Sequence, residues 1–500
     1  MCLAQSSKIL LTTFMIQILM LQTGTALQHE QRVETFVPSW VKDAIFYQIF
    51  PERFANGDTK NDPPNVEPWG GTPKTKNYFG GDLRGIMDHL DYISALGVNC
   101  LYLNPIFWSN SNHKYHTKDY LKIDPHFGTE EDFKNLVDAC HKRGIRIILD
   151  GVFNHTGVDF FAFEDIKKHG KKSKYVKWYN IYSFPVNPPD KPNYECWWNL
   201  GDLPKLMTHN PEVRAYLFKV TEHWMKLGID GWRLDVPNEI PHPFWVDWRK
   251  LVKKINPEAY IVGEIWDDAS PWLKGDQFDA VMNYRFRNAA LDFFVYRKTT
   301  VAQFDSTLAK VRSDYSSDVN LALQNLVGSH DTERLLTLCK NDKQTMKLVW
   351  LFQMTYVGAP MVYYGDEVGM TGGKDPDCRG TMIWDESKQD HDLLSSMKQL
   401  ISMRNRFAVL RQGSFERFLV DDESGLYGFA RLSADGKSIA VVVLNNGKEP
   451  RTVDLRSTQW FSAFTWAQAY PEGVSMPTPF TGKVTVQQKT GLVLIGEGQQ

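Results

Sequence analysis

The chain has 500 residues, of which 42% are hydrophobic and 23% are charged. This composition is typical of a soluble globular protein and excludes a disordered or fibrous one, and the length is enough for two or three domains. The formal net charge of -2 offers no electrostatic attraction to nucleic acid or to an anionic membrane, so neither is expected as a partner.

The first predicted element is a signal peptide over residues 1–26. Lys8 gives a positive start, 9–21 is an apolar stretch, and 24–26 is a cleavage site made of small residues. The apolar stretch contains polar residues and is short for a bilayer span, which needs ~20 residues. We therefore predict an exported protein, periplasmic or extracellular, with no membrane contact after signal removal. An uncleaved membrane anchor is the alternative.

The middle of the chain alternates short apolar runs with amphipathic segments, which is the pattern of a parallel sheet covered by helices. One helix is predicted over 82–96, and another begins at Thr129, has Asp132 at the capping-box position and ends at Gly144. The predicted strands are 44–50, 98–103, 145–150, 229–235, 260–264, 278–283, 323–327 and 361–364. This pattern predicts an α/β fold, a (β/α)8 TIM barrel over residues 40–410.

Two regions depart from the alternation. Residues 155–206, after the third strand, are rich in Lys, Pro and aromatic residues and are too long for an ordinary connection of ~2–6 residues. They predict an inserted subdomain over the mouth of the barrel. Later strands are predicted at 415–419, 426–432, 438–444 and 452–455, separated by turn residues. They indicate a separate antiparallel C-terminal β-sandwich domain over 411–500.

Polar residues follow four of the predicted strands. These polar strings are 150–155, 231–235, 263–266 and 328–331. Any one of them could be an ordinary surface loop. In an eight-stranded barrel, however, the C-terminal ends of the strands converge on one place, so four strings in register predict a single site.

The four strings resemble the signature regions of glycoside hydrolase family 13, the α-amylase family, in order and spacing, and the likeness extends from about residue 40 to the C-terminus. The resemblance implies that Asp235 is the nucleophile, Glu264 the general acid/base and Asp331 the transition-state stabiliser. It also implies a set of residues that bind the reacting sugar: Tyr115, as an aromatic platform, His155, Arg233 and His330.

The chemistry of glycoside cleavage agrees with this assignment. A retaining glycosidase needs two carboxyl groups ~5–5.5 Å apart, one to attack the anomeric carbon and one to protonate the leaving oxygen. The strand period of two puts Arg233 and Asp235 on one face, so the guanidinium can keep the nucleophile ionised. Partial burial and nearby negative charge would raise the pKa of Glu264, which must begin protonated. A salt-bridged barrel rim is the structural alternative.

Further strings are similar to the neopullulanase, cyclomaltodextrinase and maltogenic amylase group. They are 203–206, 236–239, 263–266 and 375–379. The second string adds Asn238 and Glu239 to the predicted substrate-binding residues. The chain departs from the group at His116, Met207 and Asp267. Only a short segment precedes the first strand, where the group usually carries an N-terminal β-domain, so we expect a cleft open to starch or pullulan and leave the oligomeric state open.

A calcium site is predicted in the loop 56–62. Its Asn and Asp side chains supply the hard oxygen donors that Ca2+ prefers, although the same residues are common in metal-free turns. The spacing resembles the calcium loop of neopullulanase-type enzymes, which favours a structural Ca2+. The predicted ligands are Asn56, Asp58, Asn61, Asp62, Gly80 and Asp82.

The combined prediction is a retaining hydrolase of α-1,4-glucosidic bonds in starch, pullulan, maltodextrins or cyclodextrins, with some α-1,6 cleavage and transglycosylation. An α-glucan transferase or isomerase of the trehalose synthase type, using the same carboxylates, is one alternative. A non-catalytic glucan-binding protein is another. Such relatives generally lose members of the carboxylate set, whereas Asp235, Glu264 and Asp331 are all present.

Overall fold

The computed structural model describes residues 36–473 and 480–498. The predicted signal peptide, 1–26, lies outside the described residues. In the part of the chain that is described, no helix has the length and apolar character needed to cross a bilayer.

A ring of parallel strands forms the centre of the molecule. Within the described residues these strands, first to eighth, are Phe46–Ile49, Cys100–Leu103, Arg146–Gly151, Gly231–Leu234, Tyr260–Gly263, Ala280–Val281, Gln324–Leu326 and Ala359–Tyr363. Each pairs with its neighbour in sequence, and the first pairs with the eighth. A bridge between Met282 and Gln324 joins the sixth strand to the seventh. The predicted (β/α)8 barrel is confirmed; six of its strands are shorter than expected, the third is equally long and the eighth is longer.

Helices surround the barrel because each connection carries one apolar stripe that faces the strands. The α-helices in the described residues are Pro51–Phe54, Leu83–Asp88, Leu90–Leu96, Glu130–Lys142, Phe161–His169, Pro211–Lys226, His242–Ile255, Tyr284–Ala290, Val301–Asp314, Ser317–Ala322, Leu335–Leu338, Lys343–Thr355, His391–Arg406 and Ala408–Gln412. The helix that follows Thr129 has the predicted capping box with Asp132. Its buried face is the predicted apolar stripe.

The prediction of one continuous helix over 82–96 was wrong. The helix is interrupted at His89, whose Nδ1 lies 2.8 Å from the carbonyl oxygen of Gly85. That carbonyl is the acceptor that the backbone N–H of His89 would use in an α-helix, and the N–H instead donates to Ile86. The side chain therefore replaces one helical hydrogen bond and divides the segment in two.

The segment after the third strand forms a subdomain with little regular structure. An isolated bridge between His155 and Lys205 brings its two ends together, and a second bridge, between Cys196 and Pro204, closes a loop near its C-terminal end. A second insertion in the barrel, which was not predicted from the sequence, lies between the second and third barrel strands. It is the hairpin formed by strands Phe107–Ser109 and Thr117–Ile123.

The C-terminal region consists of two antiparallel sheets. One has five strands, in the spatial order Ser414–Asp421, Leu426–Leu432, Ser438–Asn445, Thr490–Gly498 and Phe464–Tyr470. The other pairs Arg451–Asp454 with Lys483–Val486. Buried apolar residues of both sheets form one hydrophobic cluster. The last three strands in chain order, which begin at Phe464, Lys483 and Thr490, were not predicted from the sequence.

Two fully buried arginines connect the barrel to the C-terminal region. Arg404, on the helix His391–Arg406, donates to the carbonyl oxygens of Met354 at 2.8 Å and Leu410 at 3.2 Å. Arg431, on a C-terminal strand, donates to the carbonyls of Thr355 at 3.0 Å and Leu410 at 2.8 Å. The carbonyl of Leu410 therefore accepts from both guanidinium groups at the junction between the two regions.

Candidate active site

Carboxyl groups from three neighbouring strands meet at the guanidinium of Arg233, which is 1% exposed. Its Nη1 lies 2.9 Å from Oδ1 of Asp150 and 3.1 Å from Oδ1 of Asp235, and its Nη2 lies 2.9 Å from Oε2 of Glu264. Burial opposes the charge of Arg233, but Asp150 and Glu264 raise the pKa of Arg233 well above its usual value. The guanidinium therefore stays charged at the centre of the site.

Glu264 follows the fifth strand and is held at both of its oxygens. Oε1 accepts from Nε1 of Trp266 at 3.1 Å, and Oε2 accepts from the backbone N–H of Val236 at 3.2 Å. Val236 has φ of 36°, a left-handed conformation that is unusual for a β-branched residue and turns its N–H toward Glu264. Burial raises the pKa of Glu264, Arg233 opposes this, and the charge of Asp331 raises it again.

Asp235 follows the fourth strand and is 7% exposed. Burial raises its pKa, the guanidinium of Arg233 lowers it, and the like charge of Glu264 raises it. Two neighbouring buried carboxyl groups do not ionise together easily. One proton on the pair removes this repulsion, and Arg233, which contacts both groups, stabilises the carboxylate that remains.

Asp331 lies at the mouth after the seventh strand and is partly open to solvent. Its Oδ2 is 3.2 Å from Nε2 of His330, and its Oδ1 is 3.2 Å from Nη2 of Arg379. Arg379 also donates from Nε to the carbonyl of His330 at 2.8 Å and lies 3.2 Å from Asp375. The segment 375–379, which the sequence analysis used only as a mark of resemblance, therefore positions Asp331.

Tyr115 and His330 form one wall of the site. Their rings are parallel within 4°, and the hydroxyl of Tyr115 lies 2.6 Å from Nε2 of His330 and donates to Asp150 at 2.9 Å. Burial lowers the pKa of His330 well below its usual value, so the imidazole is neutral. Nε2 of Gln48 donates to Nδ1 at 2.8 Å, which places the ring proton on Nε2, toward Asp331.

Three residues of this wall were missed as site residues in the sequence analysis: Gln48, Tyr102 and Asp150. Tyr102 donates to Asp150 at 2.8 Å, and burial raises the pKa of Asp150 to about 6. All three lie on or directly beside barrel strands and are buried. A buried polar side chain on a strand of a parallel sheet, where apolar residues are usual, was the available signal.

His155 is the first residue of the inserted subdomain, and one of its ring nitrogens has no hydrogen-bond partner in the described part of the chain. Burial lowers its pKa to about 3, so the ring is neutral. Nδ1 lies 3.2 Å from the side-chain amide of Asn154. Nε2 is buried and has no hydrogen-bond partner among the described residues. A buried polar atom without a partner is costly, so this nitrogen is available to a ligand hydroxyl.

Asn238 and Glu239 lie on the short turn that follows Asp235. Asn238 is exposed. Oε2 of Glu239 accepts from Nζ of Lys205 at 3.0 Å, which ties this turn to the end of the inserted subdomain. The two residues therefore lie at the edge of the site, on the same post-strand segment as Asp235.

The predicted calcium loop is organised by Asp82. Its Oδ1 accepts from the backbone N–H groups of Gly57 at 3.1 Å and Gly85 at 2.6 Å. Its Oδ2 accepts from the N–H of Asp58 at 2.8 Å and from Nδ2 of Asn61 at 3.1 Å. Asp82 thus caps the helix that begins at Leu83 and holds the loop against it.

The remaining predicted ligands lie in the same cluster. Nδ2 of Asn56 donates to Asp62 at 2.7 Å. Gly80 has φ of 82°, and a Cβ there would lie 2.3 Å from Oδ1 of Asp62. Oδ1 of Asn56 and Oδ1 of Asn61 are both buried without a partner. Within residues 36–473 and 480–498 no group of three or more His, Cys, Asp or Glu side chains could hold a metal, so a cation here would depend on these amide oxygens.

The geometry of the site defines a class of protein. Asp235, Glu264 and Asp331 follow three strands of a (β/α)8 barrel at its C-terminal mouth, where the charge of Asp331 raises the pKa of both Asp235 and Glu264. One acidic and one ionised carboxyl at such a mouth is the arrangement that glycoside cleavage requires.

Comparisons with known proteins agree. The family described as "Alpha amylase, catalytic domain" matches residues 48–410. The cyclomaltodextrinase of Thermoanaerobacter pseudethanolicus is 52% identical over 431 residues, which cover 85% of this chain and 74% of that protein. Neopullulanase 2 of Thermoactinomyces vulgaris is 47% identical over 472 residues, which cover 93% of this chain and 79% of that protein.

A solved structure shows the same fold. The ligand-free cyclic α-maltosyl-(1→6)-maltose hydrolase from Arthrobacter globiformis aligns with a TM-score of 0.86 at 40% identity, over 92% of this chain and 100% of that one. The chain belongs to the α-amylase family of glycoside hydrolases. The resemblance stated from the four polar strings is thereby confirmed.

Proposed function

We propose that this chain is a retaining hydrolase of α-glucosidic bonds in starch-type glucans, with Asp235 as nucleophile, Glu264 as general acid/base and Asp331 as transition-state stabiliser. The observation that supports the proposal best is the contact of one buried guanidinium, that of Arg233, with both Asp235 and Glu264. It holds the two carboxyl groups on one centre and favours the ionised form of the group that does not carry the proton.

The first step breaks the glucosidic bond. Glu264 gives its proton to the departing oxygen while a carboxylate oxygen of Asp235 bonds to the anomeric carbon, so the leaving sugar departs as a neutral alcohol. Positive charge develops on the sugar ring as the bond breaks, and the carboxylate of Asp331 stabilises it. Neutral His330 and His155 can hydrogen-bond to sugar hydroxyls without adding positive charge beside that ring.

The second step releases the covalent intermediate. Glu264, now ionised, takes a proton from water, the water oxygen bonds to the anomeric carbon, and Asp235 leaves as a carboxylate. Two inversions at the same carbon give net retention. A sugar hydroxyl can take the place of water, so transglycosylation accompanies hydrolysis to the extent that acceptor sugars bind near Asn238 and Glu239.

We propose α-1,4 bonds of starch, pullulan, maltodextrins and cyclodextrins as the main substrates, with some α-1,6 cleavage. The names of the relatives, cyclomaltodextrinase and neopullulanase 2, support this range. The transferase or isomerase alternative predicts trehalose or longer glucans from maltose without net release of reducing ends. The non-catalytic alternative has no support from a site in which all three carboxyl groups are in place.

The test is to incubate the enzyme in parallel with soluble starch, pullulan and β-cyclodextrin and to separate the products by chromatography. Proton NMR at early times distinguishes the anomers of the newly formed reducing ends. We expect maltose and panose-like products, formed first as the α-anomer. A β-anomer first product would contradict the retaining mechanism, and no product from any glucan would contradict the proposed function.

A structural Ca2+ in the loop 56–62 is also proposed. The unpartnered buried amide oxygens of Asn56 and Asn61 support it, together with the carboxylates of Asp58 and Asp62 and the close approach of Gly80. Asp82, which the sequence analysis counted as a ligand, already accepts four hydrogen bonds and fits the role of holding the loop. The ion would neutralise the negative charge of this loop and fix its shape, without taking part in the reaction.

Export of the protein, to the periplasm or outside the cell, remains a proposal that depends on the signal-peptide pattern of 1–26. Comparison of the N-terminal residue of the mature protein with the predicted cleavage after Ala26 would test it. A mature protein that still begins at Met1 would contradict it.

A further inference from the structure

A stack of aromatic rings leads from the candidate site to the surface. The ring of Trp197 lies 5.7 Å from that of His155 with an interplanar angle of 26°. The ring of Trp198 lies 5.2 Å from that of Trp197 at 22°. His155 is buried, Trp197 is half-buried, and Trp198 is 76% exposed. We call these three residues the outer aromatic stack.

The backbone of Trp198 is held in an unfavourable conformation. Its φ and ψ are 47° and 32°, and the next residue, Asn199, also has a positive φ of 59°. This left-handed region crowds the Cβ of an L-residue and is used by glycine far more readily than by tryptophan. An indole that is mostly exposed gains little from burial to offset that crowding, so the structure keeps it there at a cost to stability.

The loop that carries the stack is fixed at several points. The backbone N–H of Trp197 donates to the carbonyl of Leu203 at 3.0 Å, and the hydroxyl of Tyr194 donates to the carbonyl of Gly201 at 2.8 Å. A Cβ at Gly201 would lie 2.0 Å from the carbonyl oxygen of Pro189, so only glycine allows this close approach. The position of Trp198 is therefore imposed by the loop and is not one of many conformations of a free tip.

Two hydrogen-bonding nitrogens lie along the inner part of the stack without partners. They are Nε2 of His155 and Nε1 of Trp197, and both are buried with no hydrogen-bond partner among the described residues. Sugar hydroxyls would satisfy both nitrogens. Flat aromatic surface beside unpaired polar atoms matches a glucan, whose pyranose units present apolar C–H faces and a rim of hydroxyl groups.

We propose that the outer aromatic stack is a glucan-binding platform, and that the exposed face of Trp198 binds a glucosyl unit of the chain beyond the one that reacts. This inference rests on the proposed α-glucan hydrolase function and extends it. Because Trp198 lies beyond Trp197 and His155 on the outer side of the stack, a short substrate that fills only the inner site gains nothing from it. Trp198 therefore selects long glucans over short ones.

The first experiment compares Trp198→Ala with the wild type on soluble starch and on maltotriose. We expect kcat/KM for starch to fall about tenfold relative to kcat/KM for maltotriose, since a stacking contact contributes about one decade of affinity. The change should be in KM more than in kcat, and Trp198→Phe should restore most of the starch value. The matched control is Tyr182→Ala, which removes another exposed aromatic side chain of the same subdomain and should leave the ratio unchanged.

The second experiment separates a binding role from a structural one. Trp198→Gly relieves the left-handed backbone, so its melting temperature should equal or exceed that of Trp198→Ala, while its starch selectivity should be as poor. A structural role of the indole predicts instead that both variants melt well below the wild type. An unchanged starch-to-maltotriose ratio in Trp198→Ala, or an equal loss on both substrates, would overturn the inference.

A binding measurement keeps this test independent of catalysis. Calorimetric titration of Glu264→Gln and of the Glu264→Gln/Trp198→Ala double variant with maltoheptaose should show about tenfold weaker binding in the double variant. Equal affinities would overturn the platform even in an active hydrolase. If the wild type hydrolysed no glucan, the proposed function would be contradicted, but the difference in maltoheptaose affinity would still show whether Trp198 binds glucan.

Discussion

The barrel mouth and the junction with the C-terminal region both bury arginine side chains completely, but in opposite surroundings. At the mouth, Arg233 faces the carboxyl groups of Asp150, Asp235 and Glu264. At the junction, the hydrogen bonds of Arg404 and Arg431 go to backbone carbonyls. The pKa of Arg233 is raised well above its usual value, whereas burial lowers the pKa of Arg404 and of Arg431 to about 9.

The difference separates the two uses of a buried charge. A buried guanidinium that donates only to backbone carbonyls has a structural role: it links the segments that carry those carbonyls. The hydrogen bonds to the carbonyls offset the free-energy cost of removing the charge from water. A guanidinium among several carboxyl groups instead sets which of them holds a proton. The surroundings of Arg233 therefore suit proton transfer, and those of Arg404 and Arg431 suit rigidity. Substitutions at the mouth should lower activity, whereas substitutions at the junction should lower stability.

The largest expected effect is at the carboxyl groups of the mouth. Asp235→Asn and Glu264→Gln should each lower kcat on starch by about 10³-fold or more, because the first removes the nucleophile and the second the transferable proton. Steady-state assays measure kcat, and circular dichroism melts of the same samples show whether the variants are folded. Near-wild-type turnover by either variant would reject the proposed roles.

The same substitution at the two arginines tests the comparison directly. Arg233→Lys keeps one charge but cannot span three carboxyl groups, so kcat/KM should fall by about 100-fold or more. Arg431→Lys cannot reach all of its carbonyl partners, so stability should fall by about 3 kcal/mol while kcat of the folded enzyme is retained. Loss of activity without loss of stability in Arg431→Lys would contradict the structural role of the junction.

The proposed calcium loop would be a third kind of buried polar site, in which an ion supplies the charge. EDTA should lower the melting temperature, and added Ca2+ should restore it better than Mg2+, in line with about 2–4 kcal/mol at saturation. Asn61→Ala should abolish the response to Ca2+. Lys60→Ala, in the same exposed loop, is the control and should keep it. An unchanged melt after EDTA would argue against the ion.

The smallest expected effect is a shift in pH dependence at the mouth. Glu264 must be protonated to act as an acid, so activity should fall as pH rises through its pKa, which burial and the charge of Asp331 hold above the usual value. Asp331→Asn removes that charge, so the alkaline limb of the residual kcat/KM profile should move to lower pH. Asp435→Asn, in an exposed turn of the C-terminal region, should leave the limb in place. A limb that moves to higher pH would contradict the assignment.

The barrel could be predicted from the sequence because each of its strands is a short apolar run between turn signals. The prediction of helices and strands failed where the local sequence pattern was not what decided the structure. His89 divides a helix by taking a backbone acceptor with its ring. The strand Phe464–Tyr470 lies at the edge of its sheet and is only partly buried, and its sequence lacks the continuous run of Ile, Val and Leu that marks the central strand Ser438–Asn445.

The candidate site shows the same division. Asp235, Glu264 and Asp331 could be proposed from the sequence because each lies in a distinctive polar string shortly after a barrel strand. The contact of Arg379 with Asp331 joins segments 48 residues apart and depends on how the loops after the seventh and eighth strands meet. Gln48 reaches His330 across the barrel, over 282 residues of sequence. Neither pairing has a local pattern, so only the assembled structure shows it.

The shared acceptor at Leu410 has a consequence for how the molecule can be divided. Its carbonyl bonds to Arg404 on the barrel side and to Arg431 on the C-terminal side. Cutting the polypeptide there, or grafting the terminal sandwich onto another barrel, would remove some of the carbonyl acceptors of one guanidinium. Exchange of either part for that of a relative is therefore expected to lower stability unless both arginines and the segment around Leu410 are kept together.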